Sequence, residues 1–132
     1  MDTRDLEGQP LFEGIGKRDL DAIARWGDLV DVSEGYQLLY QGNLPHEFFV
    51  ILEGRADVRR DTRLLRPLGP GDFLGEISLV TDSARTATVT ALTPLRVLVI
   101  TDRAFRTLMH KRPDIQSRVL EAVAARLDAT SA

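Results

Sequence analysis

The chain has 132 residues, of which 43% are apolar and 28% are charged, with a formal net charge of −3 and no cysteine. This length and composition predict one globular domain with a single core. The negative charge disfavours a nucleic-acid-binding surface, and the lack of thiols excludes disulfides, thiolate metal sites and a cysteine nucleophile.

The N-terminal residues are acidic where a secretory signal requires a basic start followed by an apolar run. No segment is long and apolar enough to predict a membrane span. We therefore expect a cytoplasmic domain that makes no membrane contact of its own. Residues 1–10 are predicted to be a flexible lead, and residues 11–132 a single domain.

The first predicted element is an amphipathic helix from Lys17 to Trp26, which ends at Gly27. Between residues 29 and 101, short apolar runs alternate with Gly, Pro, Asn and Asp, a pattern typical of a β-sandwich or barrel. The predicted strands are Leu29–Val32, Gln37–Gln41, Glu47–Glu53, Arg55–Arg60, Arg63–Leu68, Thr86–Ala91 and Leu95–Thr101. The two-residue period of the sixth run places Ala87, Val89 and Ala91 on one face, which we expect to be core.

After Thr101 the apolar period becomes helical. Thr101 is the predicted cap of a helix that buries Phe105, Leu108 and Met109. Pro113 then begins a second helix. Its apolar stripe consists of Ile115, Val119, Val123 and Leu127. The predicted fold class is therefore mainly β, with a β-roll flanked by one N-terminal helix and two C-terminal helices.

Residues that could support catalysis are scarce. His46 and His110 are too few for the metal site of a cupin-like β-roll enzyme. The segment from Gly14 to Arg18 lacks the third glycine and the Ser or Thr of phosphate loops. No Ser, His and Asp arrangement has the context of a nucleophile elbow. We predict no enzymatic activity, no metal and no cofactor, and interpret the basic run from Arg55 to Arg66 as a solvated hairpin.

One segment, residues 69–89, favours anion binding. Gly75 permits close backbone approach, and the following turn from Glu76 to Leu79 would present free amides to an anion. Arg85 is the only basic residue between Arg66 and Arg96, and its forked guanidinium suits a phosphate. An ionised Glu76 can only accept hydrogen bonds, so it suits a sugar hydroxyl.

These residues resemble the phosphate-binding cassette of the cyclic nucleotide-binding domain family. The matching motifs are Phe-Leu-Gly-Glu-Ile-Ser-Leu, from Phe73, and Arg-Thr-Ala-Thr-Val, from Arg85. Gly42 and Gly54 resemble the turn glycines of the family. The resemblance covers about residues 11–127 and implies a double-stranded β-helix, that is, a jelly-roll-like β-roll of eight strands with an embedded short helix. We also predict that the C-terminal helices, at about residues 102–128, form a ligand-responsive lid. The apolar stripe of the last helix is the nearest movable surface for a bound purine, and Pro113 leaves a joint between the two helices at Lys111-Arg112.

The resemblance implies that Glu76 accepts a hydrogen bond from the ribose 2′-hydroxyl and that Arg85 pairs with the cyclic phosphate. Further contacts are implied for the amides of Gly75, Ile77 and Ser78, for the Thr86 hydroxyl, and for Arg126, which falls where channel-type members carry a base-contacting arginine. Many members have a proline at the position of Ala84 and an aromatic residue at the position of Leu74. We expect these two departures to lower the affinity for the ligand rather than to abolish binding.

The function implied by this resemblance is that of a regulatory sensor that binds cyclic AMP in preference to cyclic GMP and acts on an effector domain or protein. The chain ends at Ala132, which leaves no room for an appended helix-turn-helix. We therefore expect no direct nucleic-acid partner. Two alternatives remain open: a ligand-free interaction scaffold derived from this family, and the cupin-like enzyme, against which the scarcity of histidines argues.

Overall fold

The computed structural model describes residues 6–7, 9–42, 47–75 and 87–131, with side chains up to residue 125. After a 3-10 turn at Pro10–Phe12, the helices are α1 (Lys17–Ala24), α2 (Asp102–Lys111) and α3 (Pro113–Ser131). The strands are β1 (Gly27–Val32), β2 (Gln37–Leu39), β3 (Glu47–Glu53), β4 (Ala56–Arg60), β5 (Arg63–Leu68), β6 (Phe73–Leu74), β7 (Thr88–Ala91) and β8 (Leu95–Thr101).

The described strands form two four-stranded antiparallel sheets. Sheet I has the order β1-β8-β3-β6, and sheet II has the order β2-β7-β4-β5. Consecutive strands therefore often lie in different sheets, and the chain rolls around a shared interior. The predicted fold class, a β-roll flanked by an N-terminal helix and two C-terminal helices, is confirmed.

The boundaries differ from the prediction at several places where tertiary contacts decide them. Strand β6 was not predicted, because two residues are too few to show a period; its strand conformation comes from pairing with β3, where Phe49 opposes Leu74. Helix α1 ends at Ala24 rather than Trp26. The Trp26 ring packs partly buried against the core, with the Lys111 ammonium 5.5 Å from its centroid.

Sheet I is apolar on both faces. Its outer face packs against the helices, and Phe48, Leu98 and Ile100 there are fully buried. The predicted burial of Phe105, Leu108 and Met109 on α2, and of Ile115, Val119 and Val123 on α3, is confirmed; the Leu127 side chain lies outside the described residues. Leu6, within the predicted lead, is also fully buried in this core. The helices and the N-terminal turn thus form one packed layer on sheet I.

The inner face of sheet I and the facing side of sheet II enclose the interior of the roll. This second core contains Val32, Phe49, Ile51, Ala56, Val58, Leu68, Leu74, Ala87, Val89, Ala91, Leu95 and Val97. The predicted alternation in β7 is confirmed, since Ala87, Val89 and Ala91 are buried while Thr88 and Thr90 are only half-buried. Residues from both sheets therefore supply the apolar interior beside any ligand in the roll.

Gly54, in the turn between β3 and β4, is a position where the fold requires glycine. Its φ is +94°, and an added Cβ would lie against the Pro94 carbonyl oxygen, 2.7 Å from Leu95 Cδ2 and 2.9 Å from Thr93 Oγ1. We expect Gly54→Ala to lower the free energy of unfolding by about 2–4 kcal/mol, from backbone strain together with the steric contact. Urea unfolding measures this loss.

Gly35 provides a matched control for this prediction. Its φ is +86°, but an added Cβ would meet nothing within 4 Å. Gly35→Ala therefore carries only the cost of the backbone conformation, about 1 kcal/mol. Equal losses of stability in the two variants would show that the contact with Pro94 is unimportant.

Candidate functional site

The structure positions the two ends of the predicted phosphate-binding segment. Gly75 follows β6, is buried and has a φ of +90°, a conformation that favours glycine. Ala87 lies directly before β7 and is buried in the roll interior. The predicted site residues between these ends lie outside the described residues: Glu76, Ile77, Ser78, Arg85 and Thr86. The same holds for the Arg126 side chain, although residue 126 is part of α3.

The two ends of this segment lie on different sheets. Strand β6 is an edge strand of sheet I and pairs with β3, whereas β7 lies within sheet II between β2 and β4. Leu74 and Ala87, one at each end, belong to the same apolar core. Residues 76–86 therefore connect the two sheets, and both of their attachment points are beside the roll interior. A ligand held by this segment has an apolar surface within reach.

A cleft of about 450 Å³ opens along the inner face of sheet I toward β2. This volume is within the range of small-molecule sites. The described residues that line it are Asp28, Val30, Asp31, Val32, Ser33, Tyr36, Leu38, Glu47, Phe49, Val97 and Val99. Phe49 links the cleft to the predicted segment, because it pairs with Leu74 immediately before Gly75.

The charge of this lining determines what the cleft can hold. Its apolar side chains can pack against an uncharged ring, but the charged residues among those described, Asp28, Asp31 and Glu47, are all acidic. Carboxylates repel a phosphate at close range. An anionic group in this cleft would therefore have no cationic partner among the described lining residues. In the segment that starts beside Phe49, Arg85 is the residue with that charge.

Residues 29–112 match the family model described as "Cyclic nucleotide-binding domain". The chain belongs to this family. The matched range contains the whole β-roll from Leu29 onward and the segment from Gly75 to Thr86 that the motif singled out. The resemblance inferred from the sequence is therefore confirmed.

Similar proteins include two curated relatives. The CRP-like cAMP-activated global transcriptional regulator of Mycobacterium tuberculosis is 28% identical over 126 residues, which is 92% of this chain and 56% of that protein. The cAMP-dependent protein kinase regulatory subunit of Mycosarcoma maydis is 34% identical over 118 residues, 83% of this chain and 22% of that protein. The cyclic nucleotide-binding domain described here thus spans about half, or less, of the length of these relatives.

Among solved structures, the regulatory domain of Toxoplasma gondii PKA, crystallised with cAMP, matches with a TM-score of 0.82 and 19% sequence identity. The alignment covers 93% of this chain and 48% of that one. At this identity the likeness concerns the fold. It agrees with the arrangement of two sheets and flanking helices found here.

The C-terminal helices of this cyclic nucleotide-binding domain are bonded to its N-terminal part. At the joint between α2 and α3, Arg112 donates from Nη1 to Asp19 Oδ2 of α1 at 2.7 Å and from Nη2 to Asp114 Oδ2 at 2.7 Å. The hydrogen bond from Arg112 lowers the pKa of the Asp114 carboxyl to about 2. One turn further along α3, Arg118 donates to the Leu11 carbonyl oxygen at 2.7 Å.

These contacts restrict how α3 can move as the predicted lid. The stripe on α3 is core as far as Val123 in this conformation, because Ile115, Val119 and Val123 are buried in the core that α3 shares with α2 and the N-terminal 3-10 turn. It is therefore not a free apolar surface for a ligand. A lid movement of α3 has to carry its packed partners along, or involve the part of the helix beyond Val123.

The remaining predictions concern other kinds of site. Within residues 6–7, 9–42, 47–75 and 87–125, no group of three His, Cys, Asp or Glu side chains could hold a metal ion. His110 is exposed near the end of α2, and His46 lies outside the described residues. In the same part of the chain, no helix is long and apolar enough to cross a membrane.

Proposed function

We propose that this domain binds a cyclic purine nucleotide, cyclic AMP in preference to cyclic GMP, and acts as a regulatory sensor for an effector domain or protein. The observation that carries the proposal is the presence of Glu76 and Arg85 at the family's motif positions within the matched range. The preference for cyclic AMP is supported by the names of the curated relatives, a cAMP-activated regulator and a cAMP-dependent kinase subunit. Those names also favour regulation over catalysis.

In the proposed complex, Arg85 pairs with the cyclic phosphate, and Glu76 accepts a hydrogen bond from the ribose 2′-hydroxyl. The amides of Gly75, Ile77 and Ser78 and the Thr86 hydroxyl supplement the phosphate contacts, and Arg126 reaches the base. The acidic lining of the cleft supports this orientation, because it disfavours the phosphate on the side of Asp28 and Glu47.

Calorimetry with cyclic AMP, cyclic GMP and 5′-AMP tests the function directly. We expect binding of cyclic AMP, weaker binding of cyclic GMP, and little binding of 5′-AMP, because the open phosphate differs in charge and shape from the cyclic diester. No heat with any of the three nucleotides would favour the ligand-free scaffold. Equal binding of cyclic AMP and 5′-AMP would reject recognition of the cyclic phosphate.

Glu76→Gln tests the proposed ribose contact. The change keeps the size of the side chain and removes its charge, so we expect cyclic AMP affinity to fall by about 1–2 kcal/mol. The 2′-deoxy analogue, which lacks the hydroxyl, should bind parent and variant with similar affinity. Glu34→Gln, at an exposed position in the turn after β1, serves as the control. If removing the 2′-hydroxyl costs parent and variant the same, Glu76 does not read the sugar.

We further propose that α3 responds to the bound nucleotide. A ligand can shift this helix only by binding one of its positions more tightly, and typical couplings of this kind are about 1–3 kcal/mol. Amide hydrogen exchange over residues 114–127 is expected to slow when cyclic AMP is added. Unchanged exchange at saturating nucleotide would exclude a lid role.

A further inference from the structure

Three separate parts of the fold meet at Gln41, in the connection that follows β2. Its backbone N–H donates to the Thr88 hydroxyl oxygen at 3.1 Å. Its side chain donates from Nε2 to Asp61 Oδ1 at 3.2 Å, and its Oε1 accepts from the Asp61 backbone N–H at 2.8 Å. We call these three contacts the Gln41 junction. It joins the connection after β2, the turn between β4 and β5, and the first residue of β7.

The backbone at this junction includes two positions with a positive φ. Asp61 has a φ of +56°, which is uncommon for a residue other than glycine, and Gly42 has a φ of +91°. The two hydrogen bonds with Asp61 fix the side chain of Gln41, while the neighbouring Leu39 is paired with Val89 of β7. The backbone N–H of Gln41 therefore lies between two anchored groups: its own side chain, bonded to Asp61, and Leu39, paired with Val89.

Thr88 receives this hydrogen bond at the point where β7 begins. Its Cα is also paired with Arg59 of β4, so both its backbone and its side chain are anchored. Ala87 and Val89, on either side of it, point into the roll interior, whereas Thr88 lies half-buried on the opposite face. Its hydroxyl thus contributes to the junction rather than to the packing of the core.

Arg85 precedes Thr88 by only three residues. Three residues span at most about 11 Å, so the position of Thr88 limits where Arg85 can lie. We propose that Gln41 and Thr88 are positioning residues for the phosphate contact of Arg85: their hydrogen bond fixes the base of the segment that carries the arginine. This inference rests on the proposed function, because it assigns a role only if a cyclic phosphate binds to Arg85.

Thr88→Val tests the inference, because it removes the hydroxyl and keeps the shape of the side chain. Thr90→Val is a matched control: Thr90 lies half-buried on the same face of β7, and among the described residues its hydroxyl makes no hydrogen bond. Thr88→Ser keeps the oxygen and should restore binding. Each variant is titrated with cyclic AMP by calorimetry and checked for folding by thermal unfolding.

We expect Thr88→Val to weaken cyclic AMP binding on the order of three- to tenfold, the effect of one hydrogen bond. Thr88→Ser and Thr90→Val should stay within about twofold of the parent. At saturating nucleotide, the ³¹P resonance of bound cyclic AMP should move toward that of free nucleotide in Thr88→Val alone. A purely structural role for Thr88 would not change the phosphate environment of the bound ligand in this way.

Two results would overturn the inference: equal affinities in Thr88→Val and Thr90→Val, or a weakened Thr88→Val with an unchanged ³¹P resonance. If Thr88→Val does not fold, Gln41→Ala replaces it, because that change removes both contacts with Asp61 and should shift the ³¹P resonance in the same direction. Failure of the parent to bind cyclic AMP would reject the proposed function itself. Binding by the parent without a difference between the threonine variants would reject only the role of the junction.

Discussion

Replacing Arg85 with alanine is expected to weaken cyclic AMP binding by about 2–5 kcal/mol, the largest effect on binding that we predict. The change leaves a phosphate without its charge-assisted partner in a partly desolvated site. The acidic lining of the neighbouring cleft offers no substitute among the described residues. Calorimetry of parent and variant under the same salt conditions measures the loss.

Two further variants sharpen this prediction. Arg85→Lys should recover little of the affinity, because an ammonium group does not reproduce the planar fork of the guanidinium. Arg103→Ala, at an exposed position on α2, removes the same charge from the chain and should bind like the parent. If Arg85→Ala titrates like Arg103→Ala, the arginine does not hold the phosphate.

Phe48→Ala should cause the largest loss of stability, about 3–5 kcal/mol in the free energy of unfolding. Phe48 is fully buried on β3, and its ring centroid lies 4.7 Å from that of Phe105 on α2 and 5.6 Å from that of Phe73 on β6. Removing the ring leaves a cavity where the helix layer, sheet I and the strand leading to Gly75 meet. Urea denaturation with an unchanged m-value would measure the loss.

The control for this variant is Tyr40→Ala, which removes an aromatic ring that is 55% exposed. Its effect should be within about 0.5 kcal/mol of the parent, as is usual for surface substitutions. Phe48→Leu keeps most of the volume and should lose less stability than Phe48→Ala. A loss below about 1 kcal/mol for Phe48→Ala would show that the packing of the three rings contributes little to stability.

Much of the local structure follows from signals that act over a few residues. Thr101 caps α2 as predicted, since its hydroxyl accepts from the Ala104 N–H at 3.2 Å. Pro113 begins α3 as predicted, and the two-residue period of β7 places its alanine and valine side chains in the core. These features depend on short-range backbone geometry, so the sequence is sufficient to predict them.

The sequence was sufficient to recognise the motif of the candidate site, but not to predict the contacts among residues around it. The two motifs, from Phe73 and from Arg85, were enough to show the resemblance to the family, which the match over residues 29–112 confirms. The ligand roles assigned to residues in these motifs remain predictions. The contact between Gln41 and Thr88 could not be predicted, because it joins residues 47 positions apart and depends on how β2 and β7 pair.

By itself, the sequence determined the order and type of most elements, the glycine turns and the motif, because these arise from periodicity, capping and backbone conformation. Only the tertiary structure decided which strands share a sheet. Strand β3 is buried on both faces from Phe48 to Leu52, so its apolar run carries no period that distinguishes the helix side from the roll interior. Pairing with β8 and β6 makes that choice. The same pairing creates β6 and brings Gly75 to the roll, through contacts between residues far apart in the chain that no local pattern encodes.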